Sequence, residues 1–154
     1  MTLLSTTTLS GASTTISSIS GAYKDLVIVV YEVNPSASVA PIMKPNNATN
    51  CRYVVNRFNV GQTGSLTVTD LPYMGQGSYD NRTDNGVYIT INNYASTDND
   101  YKPFLYYGTG PYEASSYMNI VGGGTFYSTT AISSLVFSVP SGTQTGTVLL
   151  YGVN

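Results

Sequence analysis

The chain has 154 residues with six Lys+Arg, eight Asp+Glu, no His, no Trp and a single Cys, for a net charge of −2. Without His it has neither Ser-His-Asp nor Cys-His machinery and no His-based metal site. One Cys closes no internal disulfide, and so few basic residues give no nucleic-acid footprint and no polybasic membrane anchor.

Charged residues make up 9% of the sequence, against a typical ~25%. Ser, Thr, Asn, Gln and Gly supply the remaining polarity, and Tyr contributes 14 residues. The length suits one domain with its own core. The opening Met1-Thr2-Leu3-Leu4-Ser5-Thr6 has no basic stretch and a very short apolar one, so no signal peptide is expected. The longest apolar run, Leu26 to Tyr31, is far short of the ~20 residues that span a bilayer.

No segment of helical length places apolar residues at helical spacing among good helix formers. Thr, Val, Ile and Tyr dominate, and turn residues recur at short intervals, which predicts an all-β domain. In chain order, strands are expected near Thr2–Leu9, Ser13–Ile19, Lys24–Val33, Arg52–Phe58 and Ser65–Thr69. They continue near Gly86–Tyr94, Lys102–Tyr107, Ser116–Val121, Ala131–Val139 and Gly146–Val153.

Asp25 to Tyr31 is apolar on both faces of the pleat, so it is expected in mid-sheet and covered on both sides. Gly86 to Tyr94 alternates: Val87, Ile89 and Ile91 face inward, and Tyr88, Thr90 and Asn92 face outward. Pro140 to Gly146 reads as a loop joining two antiparallel neighbours. Residues 34–50 and 70–86 are the long connections, and Pro35, Pro41 and Pro45 argue against a central strand in the first. Val121-Gly122-Gly123-Gly124-Thr125 reads as a turn or bulge, since it lacks the Gly-Lys-Ser/Thr ending of a phosphate loop. About ten short strands with frequent turns point to an antiparallel two-sheet β-sandwich of jelly-roll type. Residues 1–12 form an N-terminal arm or first strand, and 13–154 a single sandwich domain.

Four segments fall in a familiar order: Thr15 to Leu26, Tyr53 to Asn59, Ile89 to Tyr94, and Thr130 to Leu135 leading into Gly146 to Val153. Together, with the closing Tyr151-Gly152-Val153, they resemble the β-sandwich domain of tail-fibre and virion-surface proteins of tailed phages, including cyanophages. The resemblance covers nearly the whole chain. It implies a virion structural role and a homotrimer, and no catalytic residues. Two features depart from it: these 154 residues include no fibre stalk, and the loop at 70–86 has no counterpart.

Candidate chemistry is sparse. Asp70, Asp80, Asp84, Asp98, Asp100 and Glu113 could pair as glycosidase carboxylates, but they sit among Asn, Gly and Thr, where Asp is an ordinary turn residue. Asp80 to Gly86 lacks the alternating ligands and bidentate Glu of a calcium loop, and Asp98-Asn99-Asp100 is a loose oxygen cluster. Cys51 has no base to activate it and is expected to be a small, at least half-buried residue. No catalytic residue, cofactor or metal is therefore assigned.

The tyrosines carry the functional signal, because Tyr combines large contact area with a polar tip. Tyr73, Tyr79, Tyr101, Tyr106, Tyr107, Tyr112 and Tyr117 are expected in or beside loops as interface residues. Leu3, Leu4 and Leu9 in a Ser/Thr-rich arm need somewhere to bury, so the first ten residues are expected against another chain or a neighbouring sheet. The leading expectation is a capsid decoration (cement) protein on the outer virion surface that bridges major capsid subunits. The alternative is a tail-fibre or tail-tip module recognising host surface glycans. Neither nucleic acid nor membrane is an expected partner.

Overall fold

A computed structural model of the chain describes residues 1–37, 39–49, 51–59, 62–68, 71–72, 85–98, 101–113 and 116–154. For 51–59, 62–68, 71–72, 112–113 and 116 it describes the backbone alone. The described residues form strands and no helix. In chain order the strands are β1 Thr2–Leu9, β2 Ser13–Ile16, β3 Asp25–Pro35, β4 Ile42–Pro45, β5 Cys51–Asn59 and β6 Gln62–Val68. Then come β7 Leu71–Pro72, β8 Gly86–Ile91, β9 Lys102–Glu113, β10 Ser116–Phe126, β11 Leu135–Ser138 and β12 Gln144–Val153.

They build two antiparallel sheets, one of eight strands in the order β1-β12-β3-β8-β9-β10-β5-β6 and one of four in the order β2-β11-β4-β7. Eight of the twelve make a jelly roll. The chain places β1 and β3 in the large sheet and β2 and β4 in the small one, then β7 in the small, β8 in the large, β11 in the small and β12 in the large. The hairpins β5–β6 and β9–β10 are insertions into this framework. Both add to the large sheet on the side of β8, so it extends beyond the width of its four-stranded partner.

The core follows from strand alternation. Leu26, Ile28 and Val30 of β3, Ile89 of β8, Leu135 and Phe137 of β11, and Val148 and Leu150 of β12 are at most 1% exposed. At ~0.8 kcal/mol per buried CH₂, such a cluster is the main favourable term for folding. The inward phase of β8 is as its sequence predicts: Val87, Ile89 and Ile91 are buried, while Tyr88 and Thr90 are half-buried on the other face. β3 lies inside the large sheet, but only its inner face is fully covered. On the outer face Val27 is buried while Val29 and Tyr31 stay half-buried.

Several expectations are corrected. β11 and β12 are not neighbours: β11 pairs with β2 and β4, and β12 with β1 and β3. Residues 140–143 cross between the sheets, so Phe137 and Val148 enter the core from opposite sheets rather than sharing a ladder. The crossing is tied down where Ser36 N–H donates to Thr143 O at 2.8 Å, and where Gln144 Nε2 donates to Phe137 O at 2.9 Å. β4 lies inside the small sheet despite its prolines, because Pro41 precedes the strand and Pro45 ends it. The ladder bonds run through the residues between the two rings. Residues 122–124 are strand interior, not a turn. A Cβ on Gly123 would lie 2.8 Å from Leu105 Cδ2 and 3.2 Å from Phe104 O, so the glycine lets β9 and β10 approach closely. Residues 131–134 precede β11 instead of belonging to it.

Ser18, Glu32 and Asn46 adopt positive φ values of 56°, 55° and 50°. At Glu32 the register between β3 and β12 shifts, with Glu32–Val33 opposite the single residue Gly146. Asn85 seals this bulge from the other side. Val33 N–H donates to Asn85 Oδ1 at 2.9 Å, and Asn85 Nδ2 donates to Val33 O at 2.8 Å. The amide thus replaces a missing rung of the ladder.

Candidate interaction surface

The outer face of the large sheet follows from pairing register. One cross-strand row runs Thr6, Leu149, Val29, Tyr88, Tyr107, Val121. A second runs Leu3, Tyr151, Val27, Thr90, Leu105, Gly123. Directly opposed residues in an antiparallel pair share a face, so each row is a physical stripe across the sheet. Neither row contains a charged residue.

On this face Leu105 is 64%, Tyr107 57%, Tyr117 52% and Val121 50% exposed. Tyr88 stacks on Tyr107 with ring centroids 5.1 Å apart and planes at 24°. A shallow depression of ≈ 500 Å³ is lined by Val29, Tyr88, Tyr107, Thr109, Asn119 and Val121, among others. Its walls are mostly carbon, with the Thr109 hydroxyl, the Asn119 amide and the phenols as its side-chain polar groups. This surface can therefore bind by excluding water from apolar and aromatic area, with few directional contacts.

The predicted interface residues divide sharply. Tyr107 and Tyr117 lie on the exposed face, inside β9 and β10. Tyr106, next to Tyr107, points the opposite way and is 2% exposed in the core; alternation along β9 removes it from the interface. Leu9 is likewise core at 1% exposure, and Leu4 packs partly buried against the core. Leu3 is 52% exposed at the sheet edge. Tyr101 forms an edge-to-face pair with Tyr127, at 4.7 Å and 63°, away from the stripe. Tyr73, Tyr79 and the side chain of Tyr112 lie outside the described residues, as does the side chain of Cys51. The first ten residues pack in their own chain, where β1 pairs with β12.

The sequence places Tyr88 on the outward side of its strand, but Tyr88, Leu105 and Val121 are not among the interface residues expected from it. The signal for Leu105 was present, since it shares strand parity with Tyr107. Val121 needed the β9–β10 register, which three consecutive glycines obscure.

The segments around Ser20, Asn46, Tyr94 and Ile132 serve the fold. Tyr94 is fully buried, and its hydroxyl donates to Ser20 O. Burial pushes the Tyr94 phenol pKa above its usual 10.0. Ile132 N–H donates to Tyr94 O at 2.8 Å and Ile19 N–H to Ser133 O at 3.0 Å. Asn46 Oδ1 accepts from Ser133 and Ser134 N–H, and its Nδ2 donates to Ala131 O. In the calcium-like stretch, Asn85 is engaged at the β3 bulge and residues 80–84 lie outside the described residues. Among the described residues no group of three His, Cys, Asp or Glu could hold a metal ion, and no helix is long and apolar enough to cross a membrane.

No protein-family model matches the chain, and no curated protein matches it. Among solved structures the chain is similar to the Drosophila NLP core, described for its pentamer formation and histone binding. The identity is 10%, the match covers 97% of this chain and 96% of that chain, and the TM-score is 0.28. A likeness this weak carries no argument about fold or function.

Proposed function

We propose that the chain is a non-enzymatic structural protein of a phage virion, a capsid decoration protein that adheres to the outer surface of the head and bridges major capsid subunits. The observation that carries this reading is the pair of uncharged rows across the outer face, with Leu105, Tyr107, Tyr117 and Val121 each at least half exposed. The ordered segments shared with virion-surface domains of tailed phages support it, as does the jelly-roll framework, which viral capsid proteins use.

The physics is additive. Covering a half-exposed Leu or Val contributes roughly 1 kcal/mol, so one copy binds modestly while many copies on a shell stabilise it strongly. A protein that binds the assembled shell and not its separated subunits favours assembly by mass action.

A glycan would meet this face less well. Sugars present hydroxyls around each ring and need several convergent polar partners, whereas the depression is mostly carbon. Quantitative mass spectrometry of purified virions tests the reading. The chain should be present at a copy number comparable to that of the major capsid protein. A handful of copies per particle, with binding to host polysaccharide, would replace it with the tail-fibre reading; absence from particles would remove both.

A further inference from the structure

The two sheets have four edges, and one of them stands out. β2 has four residues and β7 has two, ending in Pro72. β6 has seven but carries Gly64 in its middle, which weakens a strand. β1 has eight residues, TLLSTTTL, and pairs only with β12. Exposed edges are normally blunted by charge, proline or shortness, because unpaired N–H and C=O groups invite another strand. β1 has none of these: it contains no proline, and the first charged residue of the chain is Lys24. Its single irregularity is a register shift between Leu3 and Ser5, after which Ser5 to Leu9 run in regular ladder.

We infer that β1 is a homodimerisation edge, pairing antiparallel with β1 of a second copy about a two-fold axis through Thr7. The choice of occupant rests on self-complementarity. Centred on Thr7, the regular segment sets Thr7 against the partner's Thr7, Thr6 against the partner's Thr8, and Ser5 against the partner's Leu9. Thr pairs are favourable cross-strand neighbours, and no charge opposes a like charge. One edge matches itself only about a two-fold axis, whereas a three-fold ring needs two different patches. The inferred dimer therefore departs from the trimer implied by the resemblance.

The axis of an antiparallel pair stands perpendicular to the sheet, so both outer faces point the same way. The row Thr6, Leu149, Val29 of one copy then runs on into the row Thr8, Thr147, Tyr31 of the other. The dimer presents a double-width adhesive face, and two linked faces bind a shell more tightly than either alone. The pairing itself does not depend on what that face binds.

Native mass spectrometry and sedimentation equilibrium of the whole chain test this. Wild type should be a dimer. Thr6 and Thr8 are exposed on β1, so T6K/T8K leaves the core intact while setting like charges against each other across the axis. It should weaken self-association at least ~tenfold, with an unchanged circular dichroism spectrum. T6E/T8E should do the same, and mixing the two variants should restore a one-to-one heterodimer. Should the variants misfold, hydrogen exchange of wild type decides: the β1 amides should gain protection as concentration rises. A monomeric wild type overturns the inference. So does an oligomer that T6K/T8K leaves intact, or β1 exchange that ignores concentration.

Discussion

Asn85 shows how much structure a single polar side chain can hold. Its amide satisfies both backbone groups of Val33 inside a bulge where β12 cannot. Asn85→Ala should leave a buried N–H and C=O without partners, at a cost of about 2 kcal/mol or more by urea denaturation. A change below ~0.5 kcal/mol would mean that water replaces the amide freely. Tyr94 makes a pH-dependent contribution. Its phenol keeps its proton in the folded chain at pH values where the unfolded chain has lost it, because burial raises its pKa above 10.0. Stability should therefore be level through neutral pH and fall as pH rises beyond about 10. Tyr94→Phe should lose the bond to Ser20 O, costing about 1 kcal/mol, and should show a shallower decline above pH 10. Identical alkaline slopes would contradict this. Gly152, in the closing Tyr-Gly-Val, has an equally local reason. A Cβ there would sit 2.4 Å from Tyr23 Cγ, so the ring lies directly on the glycine backbone. Gly152→Ala should destabilise by roughly 1–3 kcal/mol, and melting at the wild-type temperature would show that the ring moves aside freely.

At the scale of elements, legibility tracked how local each signal was. β8 could be read from its own alternation, and β1, β3 and β12 from their Thr, Val, Ile and Leu content. β4 and the two-residue β7 escaped, since runs this short have no periodicity; β4 draws its pairing from β11 and β7 from β4. The partnership of β11 and β12 was misread because a seven-residue loop between apolar strands suits a hairpin and a sheet-to-sheet crossing equally. Only Ser36 and Gln144, distant in sequence or pointing back across the core, decide between them. The interaction surface was half legible for the same reason. Tyr107 and Tyr117 are exposed, but selecting tyrosines for their nearness to loops passes over the alternation that buries Tyr106 and exposes Leu105. The segments that resemble virion proteins explain the fold more directly than the function. Residues 15–26, 89–94, 130–135 and 146–153 contribute the backbone bonds that join Ile19, Lys24, Tyr94 and Ile132 to their neighbours at one end of the sandwich.

At the scale of the whole molecule, the proposal is that a nearly uncharged jelly roll adheres through the outer face of its wide sheet. Such an interface depends on apolar area, so salt should affect it little: few charges are present to be screened. Leu105 and Tyr107 are the decisive pair, being the most exposed large hydrophobic side chains of the two rows. L105D/Y107D should change folding stability by less than ~1 kcal/mol, because neither side chain is buried in the free protein. The most direct measurement is co-sedimentation of the purified chain with phage heads lacking it, at low and high salt. Wild type should pellet with the heads equally at both salt concentrations, and folded L105D/Y107D should stay in the supernatant. Binding that disappears in high salt, or that L105D/Y107D retains in full, would contradict the account.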